Sequence, residues 1–151
     1  MSTRAQIRFE EGGDPVAVIY KHSDGYPEGV IADIVEFSAW LTEAPEPRPL
    51  RDLEYAAANL VYWYKTRLAA MRRGAEKLGV GICPTDAEHI HGDTEYLYVL
   101  DDRGNIKVSY HIGYRDRPRN WDSVAWEYTG PLRRALEVYG RPSYAVAPEA
   151  T

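Results

Sequence analysis

The stretch Ala5-Gln6-Ile7-Arg8-Phe9-Glu10-Glu11-Gly12-Gly13-Asp14-Pro15-Val16-Ala17-Val18-Ile19-Tyr20-Lys21 decides the fold class. Residues 3–10 alternate, with Ala5, Ile7 and Phe9 on one side and Arg4, Gln6, Arg8 and Glu10 on the other. Successive side chains of a strand point to opposite faces, so this period of two marks a half-buried strand. Gly12-Gly13-Asp14-Pro15 has turn chemistry, and Val16 to Lys21 is a second strand rich in β-branched residues. An antiparallel hairpin is therefore expected at this end of the chain.

Helices follow. Asp24-Gly25-Tyr26-Pro27 breaks the second strand, and Pro27 suits the first turn of a helix, where its missing N–H is not needed. That helix is expected to run to about Leu41, with Val30, Ile31, Ile34, Val35, Ser38 and Leu41 as its inner stripe. The prolines between Glu43 and Pro49 force an extended linker. Asp52 is the expected N-cap of a longer helix with the stripe Leu53, Ala57, Leu60, Tyr64, Leu68, Met71, Ala75 and Leu78, ended at Gly79.

The rest reads as strands. Val80 to Cys83 is a short one. Thr94 to Leu100 and Ile106 to Ile112 flank a turn at Asp101-Asp102-Arg103-Gly104-Asn105, and Val124, Trp126 and Tyr128 alternate as a last strand. Thr129 can cap a terminal helix that carries Pro131 in its first turn and stops at Gly140. The order ββ-αα-β-ββ-β-α gives an α+β class: an antiparallel sheet of five to six strands, with the two central helices packed on one face.

Composition bounds the rest. A length of 151 residues suits one domain, expected over residues 1–140 with a frayed tail at 141–151. Hydrophobic content of 44% and charged content of 27% belong to a globular protein with its own core. A net charge of −5 argues against bulk nucleic-acid binding. The single cysteine, Cys83, permits no intramolecular disulfide, which suits a reducing compartment. With no apolar leader and no membrane-length run, a cytoplasmic protein that avoids membranes is expected.

Two histidine motifs carry the chemistry: Tyr20-Lys21-His22-Ser23-Asp24-Gly25-Tyr26-Pro27-Glu28-Gly29 and His89-Ile90-His91-Gly92-Asp93. Each sets an Asp two residues after a His, beside a Gly, where a strand end meets a turn. His22, Asp24, His89, His91 and Asp93 are candidate metal ligands, with Cys83 nearby in sequence, and Zn²⁺ is the ion such a set would take. Structurally, the same residues are turn formers, since Asp beside Gly habitually bonds its own backbone. Arg117, Arg119 and Trp121 lie in a loop whose Arg–aromatic mix suits anionic, planar ligands. Tyr55, Tyr62 and Trp63 lie off the long helix's inner stripe and offer a face for homo-oligomerisation or for packing. No nucleophile elbow, phosphate-cradling Gly-rich loop or paired-Cys motif is present in the sequence.

The first motif resembles the signature Y-x-H-x-D-G-Y-P-E-G of a family of small uncharacterised bacterial, archaeal and phage proteins. Ser2-Thr3-Arg4-Ala5 and His91-Gly92-Asp93-Thr94-Glu95-Tyr96-Leu97-Tyr98 share the resemblance. It implies a phage or mobile-element accessory protein and carries no activity with it. The expectation is a binding protein rather than an enzyme, with no resident cofactor, that recognises a host protein or a small nucleotide-like anion. Tyr20, His22, Asp24, Tyr26, His91 and Asp93 would line one surface. The alternative is a metal-dependent hydrolase of nucleotides or phosphodiesters, with His22, Asp24, His91 and Asp93 as ligands or proton carriers.

Overall fold

The computed structural model describes residues 3–45, 47–111 and 117–140. The expected frayed tail and part of the arginine loop lie outside them. β1 (Ala5–Glu11) and β2 (Asp14–Lys21) form the hairpin, antiparallel, with a register shift between Phe9 and Glu10. α1 (Pro27–Thr42) and α2 (Leu53–Met71) follow, then β3 (Val80–Cys83). β4 (Tyr96–Asp101) and β5 (Asn105–Tyr110) make a second hairpin, and β6 (Tyr128–Pro131) and α3 (Leu132–Tyr139) complete the fold.

All six strands join one sheet in the order β3-β2-β1-β4-β5-β6. The fold is α+β, but the sheet is mixed. β1 and β4 run parallel, from Ala5 opposite Tyr96 to Glu10 opposite Asp101, whereas the other pairs are antiparallel. The expected all-antiparallel sheet is corrected at its centre. Parallel neighbours need a long crossover, and the helices, β3 and the 84–95 segment supply it.

Both faces of the sheet are covered. On one, Ala5, Ile7, Phe9, Ile19, Tyr98, Leu100, Ile106 and Val108 join the buried stripes of all three helices in the main core. On the other, Val18, Cys83, Leu97 and Val99 pack with Ile90 and Trp121 from connecting segments. Gln6 and Arg8, assigned to the wet side of β1 by alternation, are 0% and 4% exposed. The connecting segments exclude water there, which no local pattern encodes.

Local departures have local causes. α2 stops at Met71 instead of running to Leu78. Arg72 turns extended and Gly74 takes a φ of +89°, a conformation only glycine adopts freely. Met71 and Leu78, expected in the stripe, are 79% and 77% exposed because the main core ends before them. Asp52 precedes α2 in the left-handed region and makes no side-chain cap. Pro131, rather than Thr129, stands at the N-cap of α3. Trp121–Ser123 is a 3-10 turn and Val124 and Trp126 precede β6 instead of belonging to it; the box between Asn120 and Ser123 holds that turn. No helix among the described residues is long and apolar enough to cross a membrane.

Candidate functional site

The Tyr20–Gly29 motif sits where β2 ends and α1 begins. Gly25 is there for close approach: its N–H donates to the Thr3 carbonyl at 2.9 Å, and a Cβ would come within 2.7 Å of the Ala5 Cβ. The buried Tyr98 hydroxyl donates to the Gly25 carbonyl at 2.6 Å. Asp24 occupies the left-handed region at φ 54°, a conformation Asp tolerates better than most residues. The Gly25 contacts therefore tie the Asp-Gly-Tyr-Pro turn before α1 to the start of β1 and to Tyr98 of β4.

β2 sends neighbouring side chains to opposite faces, and so divides the motif. Lys21 enters the helix side. It shares a cavity of about 510 Å³ with Ser23, Asp24, Tyr26, Asp33, Tyr64 and Arg67, and Leu68 and Met71 supply apolar wall. Only 8% of Lys21 is exposed. Its ammonium donates to the Ser23 carbonyl at 2.5 Å and lies 5.0 Å from the centre of the Tyr64 ring. It forms no ion pair among the described residues. Burial lowers its pKa, opposed by the charges of Asp33 and Asp24. Burial also pushes the Asp33 carboxyl up, to about 6 from an ordinary 3.8, although Lys21 and the Tyr64 hydroxyl, which donates to it at 3.2 Å, pull it down. At the rim Arg67 pairs with Glu36 and lies 3.8 Å over the Trp63 ring.

Tyr20 faces the other way. Its hydroxyl donates to Asp93 at 3.0 Å, and the same carboxylate oxygen is 3.0 Å from Arg4 Nε. Burial first, and then Asp93, pushes the Tyr20 phenol up to about 12. The Tyr20 ring is 4.6 Å from that of His91 and 6.5 Å from that of His22. Tyr20, His91 and Asp93 thus come together with His22 beside them, whereas Asp24 and Tyr26 line the cavity with Lys21. One expected surface is two.

The metal candidates separate in the same way. Among the described residues, the group able to hold one ion is Cys83, His89 and His91, whose ligand atoms all lie within 4.8 Å of one another. His22, Asp24 and Asp93 are outside it. Burial raises the Cys83 thiol to about 11.

The arginine loop does not present its tryptophan. Trp121 is 4% exposed, stacked near Trp126 and under Arg8. Arg117 donates to the Ile90 carbonyl at 2.5 Å, and Arg119 is exposed. On α2, Tyr55 and Tyr62 are exposed, but Trp63 is buried edge-on against Phe37. The surface partner of Tyr62 is Trp40, with ring centres 6.3 Å apart.

Sequence reading missed Lys21, Asp33, Tyr64 and Arg67. Asp33 lies at the margin of the α1 stripe and Lys21 at a strand end, each an ordinary position. A signal did exist: Lys21 is adjacent to Tyr20 in a strand, so the two cannot share a face. No family model, curated protein or solved structure matches the chain.

Proposed function

We propose that this protein is a small-molecule binding module that takes an anionic ligand into the cavity between α1, α2 and the end of β2. The observation that carries the reading is Lys21. Its ammonium is held out of water with Asp33 and Asp24 acting on it only beyond ion-pair distance, and an anionic group offsets the remaining cost by a charge-assisted hydrogen bond. Tyr26, Tyr64 and the Leu68–Met71 wall suit a ligand with a flat or apolar body. Asp33 faces the same space and accepts a donor from the ligand. A nucleotide-like anion has all three features, and the motif's resemblance to phage and mobile-element proteins agrees with a binding role. The hydrolase built on His22, Asp24, His91 and Asp93 has less support, because Arg4 and Tyr20 already engage Asp93 and Asp24 belongs to the cavity.

Isothermal titration with inorganic phosphate and with adenosine monophosphate tests the proposal. The expected result is saturable binding of at least one probe, weakened about tenfold or more in Lys21→Met, the loss of one charged hydrogen bond. Absence of binding by both probes, or equal binding by Lys21→Met, overturns it.

A further inference from the structure

We propose that Cys83, His89 and His91 form a binding site for a borderline-soft divalent metal ion of the Zn²⁺ type, on the sheet face opposite the cavity. The donor set is one sulfur and two imidazole nitrogens, which selects Zn²⁺ over the oxygen-seeking Mg²⁺ and Ca²⁺. Around a tetrahedral ion with bonds of about 2.0–2.3 Å, ligand atoms stand roughly 3.5 Å apart. Here they already lie within 4.8 Å of one another, a difference that modest side-chain rotations close.

The local backbone is built to present these three side chains together. His89 and His91 flank Ile90, which is 4% exposed and anchored in the second core. Turn bonds from His89 N–H to the Asp86 carbonyl and from Ile90 N–H to the Glu88 carbonyl shape the backbone on either side of that anchor. The ring centres of His89 and His91 are 5.1 Å apart. Cys83 arrives from the end of edge strand β3, paired with Val18 of β2.

One buried side chain organises all three. The Gln6 amide nitrogen lies 3.7 Å from Cys83 Sγ and donates to the His89 carbonyl at 3.1 Å. Its carbonyl oxygen accepts from the His91 N–H at 2.8 Å and from the Thr94 hydroxyl at 3.0 Å. Gln6 is 0% exposed. A polar side chain buried on a strand and spent on the backbone of two candidate ligands fixes their segment beside Cys83. Arg117 donates to the Ile90 carbonyl, and the backbone N–H of Trp121 donates to the Ala87 carbonyl at 2.8 Å. The segment is held before any ion arrives.

Three protein ligands leave a fourth position open. Cys83 is buried, His89 half-buried and His91 exposed, so that position faces solvent on the His91 side, where Tyr20 and His22 stand. An ion there binds with loss of the thiol proton to solvent and keeps a water or an external ligand as its fourth partner.

Titration of the full chain with Co²⁺, followed by displacement with Zn²⁺, reads the site directly. One equivalent is expected to give a thiolate-to-cobalt charge-transfer band that Zn²⁺ abolishes. Cys83→Ala removes the band. His91→Asn, a change at an exposed side chain that leaves folding intact, weakens binding by more than the about 10- to 100-fold typical of a lost outer-shell partner. Circular dichroism checks that each variant is folded; if Cys83→Ala is not, His91→Asn decides. The proposal is overturned by absence of a thiolate band in the wild-type chain, or by binding that His91→Asn leaves unchanged.

Discussion

The two faces of the sheet are covered by different means. The helix face is a large aliphatic and aromatic core in which α1, α2 and α3 bring backbones that satisfy their own hydrogen bonds. The opposite face is covered by irregular segments, and a covered irregular backbone must find partners elsewhere. Gln6, Arg117 and the Asn120–Ser123 box supply them. The helix face can therefore tolerate a cavity with a buried lysine in it, while the loop face puts its polar side chains to use as scaffold. Gln6, buried under the loops, is bound to the backbone it holds, whereas Lys21 and Asp33, beside the helices, line a cavity.

The largest test of this contrast is Phe37→Ala. Phe37 is fully buried and packs against Trp63, so the variant should lose about 3–5 kcal/mol in urea unfolding. The loss should be global, with amide protection falling across the sheet and helices alike. A smaller and more local effect is expected of Gln6→Leu. Removal of the amide strands the His91 N–H and the Thr94 hydroxyl, at about 1–3 kcal/mol. Hydrogen exchange should speed up in residues 84–95 and stay unchanged in α1 and α2; equal acceleration in the helices would break the comparison.

The smallest effect sharpens the cavity's side of it. Asp33 has a raised folded-state pKa, so the folded chain holds that proton more tightly than the unfolded one. Its contribution to stability is full below the ordinary value of 3.8 and is lost as pH rises through about 6. Asp33→Asn removes this titration. The stability of the wild type relative to the variant should fall by about 1–2 kcal/mol between about pH 4 and pH 7. A difference that stays constant over that range would mean Asp33 is not desolvated by the cavity.

Much of this was legible in the residues. The alternation of Ala5, Ile7 and Phe9, the hairpin turn at Gly12-Gly13, Pro27 at a helix start and the turn at Asp101–Asn105 are short-range signals, and each acts within a few residues of chain. Within the histidine motifs the sequence identified Asp24, Tyr26, His89 and His91 as worth attention. Strand alternation separates Tyr20 from Lys21, but what each of them meets on its own face follows from where β2 lies in the sheet. The length of α2 was misread for a related reason. The helical period continues past Met71, but no core waits for it there.

The sequence by itself determined the α+β class, the two hairpins and the existence of the central helices, since periodicity and turn chemistry are local properties of the chain. Only the tertiary structure decided that β1 and β4 are parallel neighbours, that Gln6 and Arg8 are buried, and that Lys21 meets Asp33 while Cys83 meets His89 and His91. Those outcomes depend on contacts between residues far apart in the chain, whose free energy comes from water excluded by segments that carry no periodic signal of their own.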